Sequence, residues 1–354
     1  MMNTGRKTNM LLLFVAVIAT GSMLSSYTRF RNLFSKPSNF PEPVYNFSGN
    51  EVTDDGFRLG RRLFYDPVLS ADSTISCGSC HIQAAAFTHH GHDLSHGIND
   101  LLGTRNSPPI QNLAWYTTFM WDGGIRDLDL QPIAPITNPV EMGDSLHRVL
   151  QKLNAHPDYP GLFKKVFGQE KITTDLLMKA LSQFMVMLVS AGSKYDKVMR
   201  NEGETFTPEE SQGYALFRQK CASCHKEPLF TDLSFRNNGL APNEESDEGR
   251  ALVSVDQNDR FRFKVPSLRN LKFTFPYMHD GRFYTIDEVL DHYSAGMKFN
   301  STIDPVFILP GNKAGIPLTA PEKEALKKFL STLNDTSFIR NPSFAEPGAM
   351  KYVK

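Results

Sequence analysis

Four cysteines and two histidines set the chemistry of this chain. Cys77-Gly78-Ser79-Cys80-His81 and Cys221-Ala222-Ser223-Cys224-His225 are two copies of C-x-x-C-H, and together they hold every cysteine in the sequence. This spacing suits covalent attachment of a c-type haem. Two thiolates add to the vinyl groups on one edge of a porphyrin, and the adjacent imidazole reaches the iron as its axial ligand. A zinc site would want four ligands, commonly two C-x-x-C pairs brought together, and would leave both following histidines as coincidence. A thioredoxin-like redox pair would favour one motif without the histidine. Structural disulfides would need further cysteines. The reading these residues support is two covalently bound haem c groups.

The surroundings of the two pentads repeat as well. Gly60-Arg61-Arg62-Leu63-Phe64 precedes the first and Gly213-Tyr214-Ala215-Leu216-Phe217 the second, and Phe87-Thr88 and Phe230-Thr231 follow them. Further on, Pro109-Ile110-Gln111-Asn112-Leu113 answers Ser267-Leu268-Arg269-Asn270-Leu271. Nine residues past each Asn stand Trp121 and His279, each preceded by Met and followed by Asp-Gly. A duplicated one-haem unit explains this register, and the Trp121/His279 difference suggests divided labour between the copies.

The elements that position these residues read as mainly helical. Thr173 starts an apolar helix through about Ser190. Thr207-Pro208-Glu209-Glu210 is a capping box with proline at the first helical position, leading into the second pentad. Thr285 to Glu288 caps a helix to about Ser294, and Thr319 to Glu322 caps one ending near Thr332. The stretches 100–110 and 236–260 read as loops. The fold class expected is mainly α, with two cytochrome c-like haem domains related by internal duplication. These domains span 50–203 and 204–340, with a linker at 27–49 and a tail at 341–354.

Composition narrows the function classes. The 354 residues are 40% apolar and 21% charged, which excludes wholesale disorder. Lys plus Arg equals Asp plus Glu at 38 each, so no basic excess points to nucleic acid. At the N-terminus, Arg6 and Lys7 precede an apolar run from Met10 to about Leu24, then Ser25 and Ser26. That is the layout of a secretory signal over 1–26, and the run is short for a span needing about 20 residues. Cleavage is the preferred reading, with an uncleaved N-terminal anchor as the alternative. Export places the working protein in the periplasm.

With these residues in view, the chain resembles the bacterial di-haem cytochrome c peroxidase family, including its MauG-type branch, over about residues 50–335. The motifs that carry the resemblance are Leu-Phe-Tyr-Asp-Pro-Val-Leu-Ser (63–70), Gly-Thr-Arg-Asn-Ser-Pro (103–108), Trp-Asp-Gly (121–123), Asn-Pro-Val-Glu-Met (138–142), Val-Pro-Ser-Leu-Arg-Asn (265–270) and Pro-Tyr-Met-His-Asp-Gly (276–281). The resemblance implies that hydrogen peroxide reacts at the N-terminal haem. Electrons would enter at the C-terminal haem from a small donor protein such as a cytochrome c or a cupredoxin. It assigns the peroxide-site base to Glu141, with Gln131 as its hydrogen-bonding partner, and makes Trp121 a relay between the haems. It implies a calcium ion held by Asn106 and by the carbonyls of Thr274 and Pro276, and it admits a homodimer.

The chain also departs from the peroxidase pattern. Ile98 stands where the family carries a distal histidine on the first haem, with His89, His90, His92 and His96 nearby. This implies a first haem that is five-coordinate at rest and needs no reductive activation. Tyr293 stands where the peroxidases carry a methionine ligand to the second haem, as in the MauG-type branch, with Met297 as the alternative ligand. A phenolate oxygen stabilises ferric iron, whereas a thioether raises the potential. The leading expectation is a peroxidase reducing hydrogen peroxide to water. The alternatives are a MauG-like oxidase of a partner protein's side chains and a non-catalytic di-haem electron carrier.

Overall fold

The computed structural model describes residues 33–243 and 246–348, so the segment read as an export signal lies outside the described residues. Among the described residues, no helix is long and apolar enough to cross a membrane. The chain is helix-rich, and its strands are two short antiparallel pairs, Phe235–Arg236 with Phe263–Lys264 and Ile308–Leu309 with Lys313–Ala314.

Two helix pairs carry the two pentads. In the first, Asp54–Tyr65 lies against Thr174–Met185, burying Leu63 and Phe64 against Leu181 and Phe184. Full burial of one such side chain contributes about 1.5–3 kcal/mol. Thr53 and Thr173 cap the two helices by accepting from the N–H groups of Gly56 and Leu176. Gly60 permits the crossing, since a Cβ there would stand 2.0 Å from the Ala180 carbonyl oxygen.

The second pair, Pro208–Lys220 against Ala320–Ser331, is built on the same plan. A Cβ on Gly213 would stand 2.0 Å from the Ala325 carbonyl oxygen. The Thr207/Glu210 and Thr319/Glu322 capping boxes are both formed. Lys220 ends its helix directly at Cys221.

One asparagine ties each pair to the loop that follows its pentad. Asn112 donates its backbone N–H to Leu188 O, and its side-chain oxygen accepts from Ser190 N at 2.9 Å. Asn270 does the same with Leu333 O and Asp335 N, the latter at 2.7 Å. Both have positive φ, 58° and 65°. The Asn112 contacts explain why the helix from Thr174 stops at Met185 rather than continuing to Ser190. Val186, Met187 and Leu188 still donate back to helix carbonyls, but the Leu188 carbonyl and the Ser190 N–H and carbonyl are taken by Asn112.

Residues read as linker and tail also fold onto the first helix pair. Phe40 is buried against Trp115, whose Nε1 donates to Pro41 O at 2.8 Å. Phe344 is buried in the same core, and Tyr65 donates its hydroxyl to Phe344 O. Aromatic side chains within proline-rich stretches supply the apolar area that makes docking worthwhile.

A buried ion pair joins the helix Lys194–Met199 to the segment around Arg269. Arg269 donates to both carboxylate oxygens of Asp196 at 2.8 Å, and both side chains are fully buried.

Candidate functional site

Each pentad opens on its own cavity. Cys77, Cys80 and His81 line one of about 480 Å³, and Cys221, Cys224 and His225 line one of about 650 Å³. Both volumes fall in the range of cofactor pockets. The four thiols are unpaired. Because the two cysteine pairs face different cavities, they do not assemble a four-ligand zinc site. Among the described residues, no group of three or more His, Cys, Asp and Glu side chains could hold a metal ion.

The residues fit a haem in each cavity. Each helix or turn places two cysteines and the next histidine on one wall, and each imidazole is oriented from behind. His81 Nδ1 donates to Phe87 O at 2.8 Å, and His225 Nδ1 lies 3.1 Å from Phe230 O. Phe87 and Phe230 share a positive φ, 63° and 56°, which turns these carbonyls toward the rings. A proton fixed on Nδ1 leaves Nε2 free to ligate iron. Burial pushes His81 down to about 4 and lowers His225, so both imidazoles are neutral at pH 7. Burial also pushes Cys77 up to about 12 and Cys80 up to about 11, as expected of apolar surroundings.

The lining of the first cavity also includes Gln131, Asn138 and Glu141. Glu141 sits in a tight turn organised by Asn138, whose carbonyl accepts from the N–H groups of Glu141 and Gly143. The Asn138 amide donates to Glu141 Oε1 at 3.0 Å. Burial raises the Glu141 pKa, and the Asn138 hydrogen bond only partly offsets it. Gln131 shares the cavity, but its amide lies 3.7 Å from Met120 Sδ. The hydrogen bond to Glu141 therefore comes from Asn138, a residue inside the Asn-Pro-Val-Glu-Met motif that sequence reasoning passed over.

Ile98 does not line the first cavity. Its backbone N–H donates to Glu141 O at 2.8 Å, and its side chain packs over Gly143. His96 does line the cavity. Its ring is engaged elsewhere, with Nε2 at 3.3 Å from His92 Nδ1 and His89 stacked on His92.

The wall between the cavities is shared by Asn106, Pro109, Trp121, Lys264, Pro266 and Ser267. Trp121 is held there by its indole N–H, which donates to Asn106 O at 2.8 Å. Its carbonyl accepts from Lys264 N at 2.7 Å. His279, in the corresponding register, stacks on Phe263 at 3.6 Å instead. Sequence reasoning missed Lys264, which carries no motif of its own.

In the second cavity, Tyr293 sits on a π turn spanning His292–Gly296, and its hydroxyl lies 3.4 Å from Asn238 Nδ2. Met297 is buried in a small cluster with Ile303 and Phe307 and is absent from the cavity lining. Asn106, Thr274 and Pro276 all border this cavity. The Asn106 amide N–H groups donate to the carbonyls of His92 and Asp93, leaving its side-chain oxygen as an acceptor.

Comparison with known proteins agrees with this geometry. The profile of the di-haem cytochrome c peroxidase family matches residues 54–204. The chain is 36% identical over 266 residues to the methylamine utilization protein MauG of Methylorubrum extorquens, covering 74% of each. It is 37% identical over 242 residues to the cytochrome c551 peroxidase of Nitrosomonas europaea, covering 67% of this chain and 72% of that one. Among solved structures, a MauG-like protein associated with microbial copper homeostasis aligns with a TM-score of 0.80 and 32% identity, over 89% of this chain and 99% of that one.

Proposed function

The chain belongs to the di-haem cytochrome c peroxidase family, and on that premise we propose that it reduces hydrogen peroxide to water at the first cavity, with electrons entering through the second. The observation that carries this reading is Glu141 in the same cavity as Cys77, Cys80 and His81. When bound, the haem supplies an iron position for peroxide and the electrons that cleave its O–O bond. Hydrogen peroxide takes up two electrons and two protons and leaves as two waters.

The protein's own part is proton handling and positioning. Asn138 holds Glu141 Oε1, which leaves Oε2 to take a proton from one peroxide oxygen and return it to the departing one. A carboxyl whose pKa is raised by burial is better matched to that shuttle near neutral pH than a solvated one. Gln131 fills the wall beside Met120 and shapes the space around the peroxide. His81 and His225, kept neutral by burial and oriented by their carbonyl partners, would hold the two haem irons.

The first site is open at rest, since Ile98 offers no ligand and turns onto Gly143. Trp121, on the shared wall, relays electrons between the sites. Tyr293 would be the further ligand of the second haem, a choice supported by its place in the cavity lining while Met297 is buried in a cluster with Ile303 and Phe307. A calcium ion bound by Asn106 and the Thr274 and Pro276 carbonyls is consistent with the free Asn106 oxygen. The matched Gly60/Gly213 crossings and Asn112/Asn270 ties support descent of the two halves from one duplicated unit. Export to the periplasm completes the reading, with a cytochrome c or a cupredoxin as donor.

Tyr293 also favours a second reading, a MauG-like oxidase that draws electrons from a partner protein's side chains. Steady-state turnover of peroxide with reduced cytochrome c separates the two. Sustained oxidation of the cytochrome supports the peroxidase, and none supports the oxidase. Loss of peroxide turnover in Glu141→Gln tests the site itself.

A further inference from the structure

Lys264 is the cation on the shared wall that has no acid beside it. Four Lys and Arg side chains line the two cavities. Arg105 is paired with Asp122 and Asp247, Arg236 with Asp232 and Asp304, and Lys220 with Glu322. Lys264 has no carboxylate at ion-pair distance among the described residues. Its Nζ donates to Thr118 O, lies 5.7 Å from the Tyr116 ring centroid and 5.9 Å from that of Phe119, and the residue is 8% exposed.

Pairing of the strand Phe263–Lys264 with Phe235–Arg236, and the Lys264 N–H bond to Trp121 O, hold this side chain at the boundary of both cavities. A buried ammonium with one neutral acceptor is costly unless a counter-ion arrives. In the protein alone, burial pushes Lys264 down to about 7, and the charge of Asp122 offsets this only in part.

The missing counter-ion has a defined chemistry. Each haem carries two propionate carboxylates, so loading both cavities brings four anionic groups into a chain whose other cavity-lining Lys and Arg cations are already committed. We propose that Lys264 is the shared counter-ion of the haem propionates at the boundary, and that its charge acts on both haems at once. This rests on the two-haem reading above. A positive charge on the wall shared by both cavities favours the reduced form of a haem in each, so one residue would set a common component of both potentials.

The test is spectroelectrochemical titration of the haem-loaded protein as wild type, Lys264→Met and Lys264→Arg. Haem content is measured first in each by the pyridine haemochrome assay. Fewer than two haems per wild-type chain would count against the two-haem reading itself, separately from Lys264. With two haems in all three, Lys264→Met is expected to lower both midpoint potentials, while Lys264→Arg keeps both near wild type. Unchanged potentials in Lys264→Met would overturn the proposal. So would a shift confined to one haem, which removes the sharing. Equal shifts in both variants would assign the effect to packing and also overturn it.

Discussion

Replacing Glu141 with glutamine keeps the shape of the side chain and removes its ability to take a proton. Asn138 can still bond the amide oxygen at the position of Oε1, so the turn around residues 138–143 is retained. Loss of a positioned base costs roughly 10²–10⁴-fold in rate, equivalent to about 3–5 kcal/mol of transition-state stabilisation. Peroxide turnover of Glu141→Gln is therefore expected to fall by that factor. The pH profile supplies an independent sign. Burial raises the Glu141 pKa, so wild-type activity should fail on the acid side at a pH above that of an ordinary carboxyl. That acid limb should vanish in the variant. The same burial makes ionisation of Glu141 cost stability. The cost is absent below the free carboxyl's pKa and complete above the raised one, so the variant should be at least as stable as wild type at pH 7. Stopped-flow and steady-state assays across pH, with urea denaturation alongside, measure all three. Turnover within about threefold of wild type, against the expected loss, with the acid limb intact, would refute the role of Glu141.

Other consequences concern the scaffold and the second site. Arg269→Met leaves Asp196 buried without its partner and should cost about 3–5 kcal/mol in chemical denaturation; a loss under about 1 kcal/mol would mean the pair is not the tie it resembles. Gly213→Ala forces a methyl into the Ala325 carbonyl and should destabilise the chain by about 1–3 kcal/mol, whereas an unchanged midpoint would show that the helices part freely. Tyr293→Met should raise the reduction potential of the second haem and alter its spectrum, and an unaltered spectrum would exclude Tyr293 as its ligand. Trp121→Phe should slow electron exchange between the haems without changing the haem content, and an unchanged rate would remove the relay.

What the sequence made legible was chemistry that is local in the chain. The two pentads need five consecutive residues each, and the capping boxes at Thr207, Thr285 and Thr319 close between residues three apart. Glu141, singled out by the resemblance its compact motif carries, does line the first cavity. The contacts that were not legible join distant segments. The helix end at Met185 is decided by Asn112, more than seventy residues earlier. Lys264 reaches the shared wall because its strand pairs with Phe235–Arg236, and no local pattern announces that register. The partner of Gln131 turned on the same point, since Met120 comes from a loop whose path the sequence does not state. The aromatic residues at 34–47 read as a linker because proline and serine surround them, and only the core exposed by Trp115 gives them a place to bind.

The most direct test of the account is to mix the fully oxidised, haem-loaded protein with one equivalent of hydrogen peroxide, without reductant, and follow its optical spectrum. An open first site, with Ile98 turned away and Glu141 ready to move the proton, predicts a prompt spectral change that consumes the peroxide. A spectrum that stays constant until one electron is added would contradict it, and would mean that a protein ligand, such as His96 on the cavity wall, occupies the first iron until it is displaced.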